Sequence, residues 1–274
     1  MSIYIVYTME IREQLVKDVT EIGNGAHIFV PRDWLNQKVS VIKMPKLTVK
    51  EQIIKSLTPY LDDIVGVFLY GSYARGEQEE TSDIDVLVVA KKKFKIKTKG
   101  KLSFEVVEYS KLEKNIELNP LMFYSIIQEA KPIINLLLLE EFKKIKFNTK
   151  APVLKWFIDT TKDHIKTNKE FIELDKLDGN YLTSSCVVYS LILRLRGILL
   201  IRGMLYNKPY TRSLFRQWLT SNVPGIEYKK IYDIYRAVRD EKKVKCKIKL
   251  SQVESLLNLL KKEINRLEDR LYGK

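Results

Sequence analysis

The chain has 274 residues, 45% of them hydrophobic and 30% charged, which suits one large domain or two to three small ones with a buried core. Two cysteines (Cys186, Cys246) and two histidines (His27, His164) exclude a disulfide framework, a cysteine-rich zinc site and histidine metal chemistry, and fit a reducing cytoplasm. The formal net charge of +14 is uneven: 5 basic and 5 acidic residues in 1–44, 18 and 15 in 45–150, and 25 and 14 in 151–274. A basic C-terminal part suits a polyanionic partner such as nucleic acid, or a lysine-rich solvated surface.

No apolar run reaches 18 residues. "VVYSLILRLRGILLIRG" is broken by Arg194 and Arg196, so no membrane span is expected. The opening "MSIYIVYTMEIREQ" has no secretory features. Residues 1–44 read as short strands and turns: a Gly-Asn-Gly turn, apolar "HIFV", then "PRDWLNQ" and a closing strand "KVSVIKM". The stretch "GNGAHIFVPRDWLNQKVSVI" resembles the small AbrB-like swapped-hairpin modules, which dimerise by interleaving strands and in many cases bind DNA. The segment is electrically neutral, which favours homodimerisation or packing over DNA binding.

A helix is predicted at "LTVKEQIIKSLTPYLDD", with Thr48 as N-cap and Ile53, Ile54, Leu57 and Leu61 as its apolar stripe. Then come a strand "IVGVFLY", a motif "GSYARGEQEETSDIDVLV" that includes a second strand, a lysine-rich ribbon "KKKFKIKTKGK", and a strand "LSFEVVEY". Helices are predicted at "NPLMFYSIIQEAKPIIN" and "LLLEEFKKIKF". From Pro152 the chain reads as wholly helical, with breaks at "LDGN", "YNKPYT" and "SNVPG".

The motif carries the chemistry. On a strand, Asp83 and Asp85 share one face about 7 Å apart, and two such carboxylates are costly to bury unless a cation joins them. A hard divalent ion with oxygen ligands meets that need, Mg²⁺ above all where phosphate completes its shell. A third carboxylate is expected from the neighbouring strand. Glu105 lies opposite the Leu102, Phe104, Val106 face and is the first candidate; Glu108, of the other parity, is the second. Gly71 permits a tight turn, N–H groups at the following helix start attract phosphate, Ser72 adds a hydroxyl and Arg75 a phosphate-pairing fork.

Tyr70-Gly71-Ser72, ten residues, then Asp83-Ile84-Asp85-Val86 resembles the signature of the polymerase-β-type nucleotidyltransferase superfamily, closest to its minimal nucleotidyltransferases. The resemblance covers residues 48–145. It implies a palm-like mixed sheet. With the other segments, the chain is expected to be α+β in three parts: a small β module (1–44), a mixed-sheet palm with flanking helices (45–150) and a basic helical bundle that binds the acceptor (151–274). The resemblance further implies that Gly71 and Ser72 hold the triphosphate of an NTP, with ATP the expected one, and Arg75 and Ser82 are expected beside them. Asp83, Asp85 and Glu105 would hold two Mg²⁺ or Mn²⁺ ions, and Glu105, where many relatives have Asp, would serve the nucleophile side. Two-metal chemistry would then pass a nucleoside monophosphate to an acceptor hydroxyl and release pyrophosphate.

The acceptor alternatives are an RNA end, a protein side chain and a small molecule, and the basic C-terminal part favours RNA, ahead of a protein. Alternating lysines in 91–101 form a comb on an extended ribbon, either a phosphate track or a protected sheet edge. Tyr228, Tyr232, Tyr235 and Arg239 share a helix face that either clamps a ring or fills a core. Arg194, Arg196 and Arg202 are placed toward a cleft or solvent. The helical part resembles HEPN-like or kanamycin-nucleotidyltransferase-like bundles. It lacks the Arg-x₄₋₆-His signature of HEPN ribonucleases, so RNase activity is not expected. The alternative is a DNA-binding regulator, or an antitoxin-like interaction protein with an inactive transferase fold.

Overall fold

The computed structural model describes residues 14–45, 47–97 and 100–273, and the chain divides into two units, Met1–Lys46 and Leu47–Lys274. In the first unit Gly23, at φ +53°, and Asn24 turn the chain between β1 (Thr20–Ile22) and β2 (Gly25–His27). A left-handed residue lets so short a loop follow the twist of its strands. A single 3-10 turn, Arg32–Trp34, follows Pro31. The closing strand predicted at "KVSVIKM" does not form: residues 38–44 join no ladder, and Val39, Val41, Ile42 and Met44 stay exposed. Alternation makes a strand only where a neighbour supplies hydrogen-bond partners. The predicted opening segment, residues 1–13, lies outside the described residues.

The second unit starts with α1 (Val49–Leu57). Thr48 caps it as expected, in a reciprocal pair with Glu51: the Glu51 N–H donates to Thr48 Oγ1 at 3.3 Å and the Thr48 N–H to Glu51 Oε2 at 2.7 Å. The predicted continuation tightens into a 3-10 helix, Thr58–Asp63, at Pro59. Next come β3 (Ile64–Tyr70), the five-residue α2 (Gly71–Arg75), β4 (Ile84–Ala90) and β5 (Leu102–Glu108). Three helices and a strand follow: α3 (Leu112–Leu118), α4 (Pro120–Glu129), β6 (Lys131–Ile134) and α5 (Leu136–Phe142).

The sheet runs β5-β4-β3-β6, with β4 and β5 parallel and the other pairs antiparallel. Both faces are covered, which is why the two central strands are nearly continuous apolar runs. One face sets Phe68, Leu87, Val89 and Val107 against α3, α4 and α5; the other sets Val67, Val86, Val88 and Val106 against Ile53 and Leu57 of α1.

Two local predictions change. Residues 119–135 are not one helix. Pro132 disfavours helical backbone at Lys131, and its missing N–H is harmless on an edge strand. The helix therefore ends at Glu129 and β6 closes the sheet beside β3. Residues 91–97 of the lysine-rich segment join no ladder among the described residues but keep their alternation. Phe94 and Ile96 pack on the α1 face, Phe94 stacking on Tyr60 at 4.6 Å, while Lys93, Lys95 and Lys97 are exposed. Lys99 of the comb lies outside the described residues.

The helical part comprises α6 (Pro152–Asp178), β7 (Tyr181–Leu182), α7 (Ser185–Tyr206), α8 (Arg212–Asn222), α9 (Tyr228–Arg239), β8 (Ile248–Lys249) and α10 (Leu250–Tyr272). A two-residue ladder between β7 and β8 is the only strand pairing among its described residues. The apolar α7 is central, packed by α6, α9, α10 and α4.

The tyrosine stripe is core: Tyr228, Tyr232 and Tyr235 are buried. The arginines of α7 are held by neighbouring side chains, and Arg202 also reaches solvent, its side chain 41% exposed. Arg196 donates to the hydroxyls of Tyr210 and Tyr235, Arg194 to Thr160 Oγ1 at 3.0 Å, and Arg202 pairs with the buried Glu263 at 2.8 Å.

Sheet and bundle share packing at α4. The Tyr124 side chain is 1% exposed within the bundle core, and its hydroxyl lies 2.8 Å from the carbonyls of both Gly203 and Lys208. Removing it leaves two carbonyls without that donor. Tyr124→Phe is therefore expected to lower the unfolding free energy by about 1–2 kcal/mol, measured by urea titration; an unchanged midpoint would show the hydroxyl to be idle.

Candidate active site

The antiparallel register of β3 and β4 puts Asp85 directly across from Tyr70, the residue before Gly71. Gly71 has φ +73°, and a Cβ built there would lie 2.2 Å from Asp85 Oδ2. Glycine is thus required twice, by the left-handed backbone and by the space that the carboxylate occupies. The predicted turn and the predicted carboxylate pair are one packed feature.

Alternation continues along β4. Asp85, Leu87 and Val89 look to the face that carries α3–α5, and Asp83 precedes them with the same parity. Leu87 pairs with Glu105 and Ala90 with Glu108 in the parallel ladder. Glu105 therefore shares the face of Asp85, one side-chain step or about 7 Å further along the sheet. Glu108 lies at the opposite end of the strand and is engaged by Lys111 and Ser110. Among the described residues no three His, Cys, Asp or Glu side chains stand close enough to hold a metal ion together.

The electrostatics mark Asp85. Burial, then the charges of Asp83 and Glu129, push its pKa from 3.8 up to about 6, against the opposing pull of Arg75 and Arg239. The Tyr70 hydroxyl is pushed up to about 12 by burial and by Asp85, Glu105 and Glu129. Asp83, Asp85, Glu105 and the Ser72 hydroxyl have no side-chain hydrogen bond among the described residues. A half-buried carboxylate without a donor, beside a second carboxylate, has the chemistry of a cation ligand.

Arg75 and Ser82 are held more tightly than their sequence suggests. Arg75 Nε donates to Glu77 at 2.8 Å and Nη1 to Glu129, whose other oxygen accepts the Gly71 N–H at 2.9 Å. Burial opposes the Arg75 charge, but its hydrogen bonds and ion pairs with Glu77 and Glu129 raise its pKa. Ser82 Oγ accepts the Glu79 N–H at 2.8 Å, closing the loop between α2 and β4. Glu79 in turn pairs with Arg212 of α8, at 2.9 Å, and with Arg236 of α9, and these hold its pKa below the usual range.

Sequence reasoning missed Glu77, Glu79, Glu129, Arg212 and Arg236. Glu77 and Glu79 lie inside the motif itself, in "GEQEE". Glu129 lies 58 residues beyond Gly71, and no local pattern marks it. A hollow of about 230 Å³ is lined by Arg75, Glu77, Gln128, Glu129, Tyr210 and Thr211, among others. A larger one of about 820 Å³, between α8, α9 and residues 244–245, contains none of the predicted site residues.

The family described as polymerase beta, nucleotidyltransferase matches residues 51–136. A Methanocaldococcus jannaschii protein provisionally named a protein adenylyltransferase is 33% identical over 88 residues, 32% of this chain and 88% of that protein. A second protein of that organism, with the same provisional name, is 43% identical over 49 residues, 18% of this chain and 33% of its own length. Among solved structures, a spectinomycin adenyltransferase from Enterococcus faecialis, with ATP and spectinomycin, is similar with a TM-score of 0.40 and 16% identity, over 78% of this chain and 97% of that one. A nucleotidyltransferase-like protein from Exiguobacterium sibiricum has a TM-score of 0.36 and 12% identity, over 82% of this chain and 77% of that one. No helix among the described residues is long and apolar enough to cross a membrane.

The Asp85 shift gives a signed expectation. Its folded pKa of about 6 stands above the ordinary 3.8, so its stabilising contribution is fully present below about pH 4 and is lost as pH rises through 6. With a chelator present, Asp85→Asn is expected to melt at a higher temperature than the parent chain at pH 7.5. At pH 3.5 the two midpoints should coincide. A difference that stays constant between these pH values would exclude a raised Asp85.

Proposed function

The chain belongs to the polymerase-β-type nucleotidyltransferase superfamily, and on that premise we propose that it transfers AMP from ATP to a hydroxyl side chain of a protein. The observation that carries this reading is the contact of Asp85 with Gly71, which joins a carboxylate pair to a phosphate-binding turn. The choice of ATP and of a protein acceptor is supported by the provisional names of the two Methanocaldococcus jannaschii relatives.

Each residue has a role in this reading. Gly71 and Ser72 receive the triphosphate, Ser72 through its free hydroxyl. Arg75 faces the same anion with the part of its guanidinium that Glu77 and Glu129 leave open. Asp83 and Asp85, with Glu105 beside them on the same face, would hold a divalent ion such as Mg²⁺ or Mn²⁺. Bound there, such an ion neutralises phosphate oxygens and lowers the pKa of the attacking hydroxyl. Glu105, exposed and without a hydrogen-bond partner among the described residues, accepts the proton that leaves the acceptor oxygen. The α-phosphorus gains a bond to that oxygen as its bond to the pyrophosphate oxygen breaks. The helical part, basic and tied to the motif loop through Arg212 and Arg236, carries the acceptor.

The test is incubation of the full chain with α-labelled ATP, Mg²⁺ and a protein extract. Label should appear in a protease-sensitive, RNase-resistant product and vanish with Asp83→Ala and with Asp85→Ala. Label that persists in those variants would overturn the carboxylate assignment, and an RNase-sensitive product would move the acceptor to RNA. The raised Asp85 pKa of the metal-free chain adds a profile: proton and ion compete for this carboxylate, so the Mg²⁺ concentration for half-maximal labelling should rise as pH drops below about 6. A half-maximal Mg²⁺ concentration unchanged down to pH 5 would remove Asp85 from the ion site.

A further inference from the structure

Glu129 ends α4, and its side chain is 10% exposed. One carboxylate oxygen accepts the Gly71 N–H at 2.9 Å; the other is bonded to Arg75 Nη1. Glu77 takes Arg75 Nε at 2.8 Å. A guanidinium is a rigid plane with five N–H donors, and two of its nitrogens are held here by two carboxylates on different elements. Nη2 has no hydrogen bond among the described residues, and neither has the Ser72 hydroxyl. Asp85 fills the space beside the Gly71 Cα, so this residue is fixed on one side by Asp85 and at its N–H by Glu129.

The charge of Glu129 has the wrong sign to attract a phosphate. Its placement makes sense through geometry, because a carboxylate can accept two charge-assisted or backbone hydrogen bonds at once and set two donors relative to each other. We propose that Glu129 is a positioning residue of the nucleotidyl-transfer site. It fixes the Gly71–Ser72 turn and the rotation of the Arg75 plane, so that the Ser72 hydroxyl and the Nη2 edge meet the triphosphate already arranged. This rests on the reading that the turn and Arg75 hold a triphosphate. Without Glu129 the same groups remain but must be ordered by the nucleotide, and that cost falls on binding more than on the chemical step.

The experiment compares the full chain with Glu129→Ala and Glu129→Gln in three measurements. These are ATP affinity by calorimetry with Mg²⁺, kcat and KM for ATP in the labelling reaction, and hydrogen exchange at the Gly71 amide without nucleotide. Thermal midpoints identify any variant that fails to fold. Glu129→Ala is expected to raise the ATP KM and dissociation constant about tenfold, change kcat less than about threefold, and expose the Gly71 amide to exchange. Glu129→Gln keeps a carbonyl for the Gly71 N–H but presents an NH₂ to Arg75, so it should restore amide protection and only part of the affinity. An unchanged KM in an Ala variant whose Gly71 amide has lost protection would overturn the proposal. A lowered KM would also overturn it, making Glu129 a competitor of the triphosphate. If the parent chain binds no ATP, the triphosphate reading itself fails and the proposal with it; the exchange data would still report the Glu129–Gly71 bond.

Discussion

The site depends on the closeness of one carboxylate to one glycine. Asp85 can sit on an otherwise apolar strand because the opposing chain leaves β3 at Gly71, where a missing Cβ gives its oxygen room. Burial and the charges of Asp83 and Glu129 outweigh the pull of Arg75 and Arg239 on that carboxylate, and among the described residues no side chain donates a hydrogen bond to it. A fold that keeps such a group has kept something costly, and natural proteins tolerate such costs mainly at functional sites. The β3–β4 register, the left-handed turn and the short α2 can all be read as ways of holding this one carboxylate at the edge of the sheet.

Around it, charge alternates through space. Glu129 meets Arg75, Arg75 meets Glu77, the Arg212 backbone reaches Glu77, and the Arg212 and Arg236 side chains meet Glu79. The partners come from α2, its following loop, α4, α8 and α9, so the loop between the Gly71–Ser72 turn and the carboxylates is pinned from the sheet side and from the bundle side. Each partly exposed pair is weak alone; their value lies in shared geometry. This network gives the basic helices a physical connection to the chemistry, which their composition alone did not provide.

Much of the catalytic half was legible because its signals are local. Strand parity placed Asp83 and Asp85 on one face and preferred Glu105 to Glu108, and the ladder sets Glu105 on the face of Asp85. The Gly-Ser turn was legible because few residues tolerate that backbone. What failed was nonlocal. β6 was read as helix, since the apolar pattern before Pro132 does not reveal that a sheet edge is waiting. "KVSVIKM" alternates like a strand but has no ladder partner among the described residues. A linear reading cannot tell what the arginines of α7 meet, and they are bonded to a threonine hydroxyl, tyrosine hydroxyls and a buried glutamate. Glu129 was invisible because its function exists only once α4 has packed beside the turn.

The packing of Tyr124 has a consequence for how the molecule can be divided. Its ring belongs to the bundle core although it sits on a helix that also covers the sheet, and Phe147 packs against it at 5.3 Å. A cut near residue 150, where the composition changes, would strip that ring of its surroundings and uncover apolar flanks on both α4 and α7. Catalytic sheet and basic bundle are therefore poor candidates for separate expression or for exchange between proteins. An evolutionary shuffle at that point would have to rebuild the joint before it could inherit the chemistry.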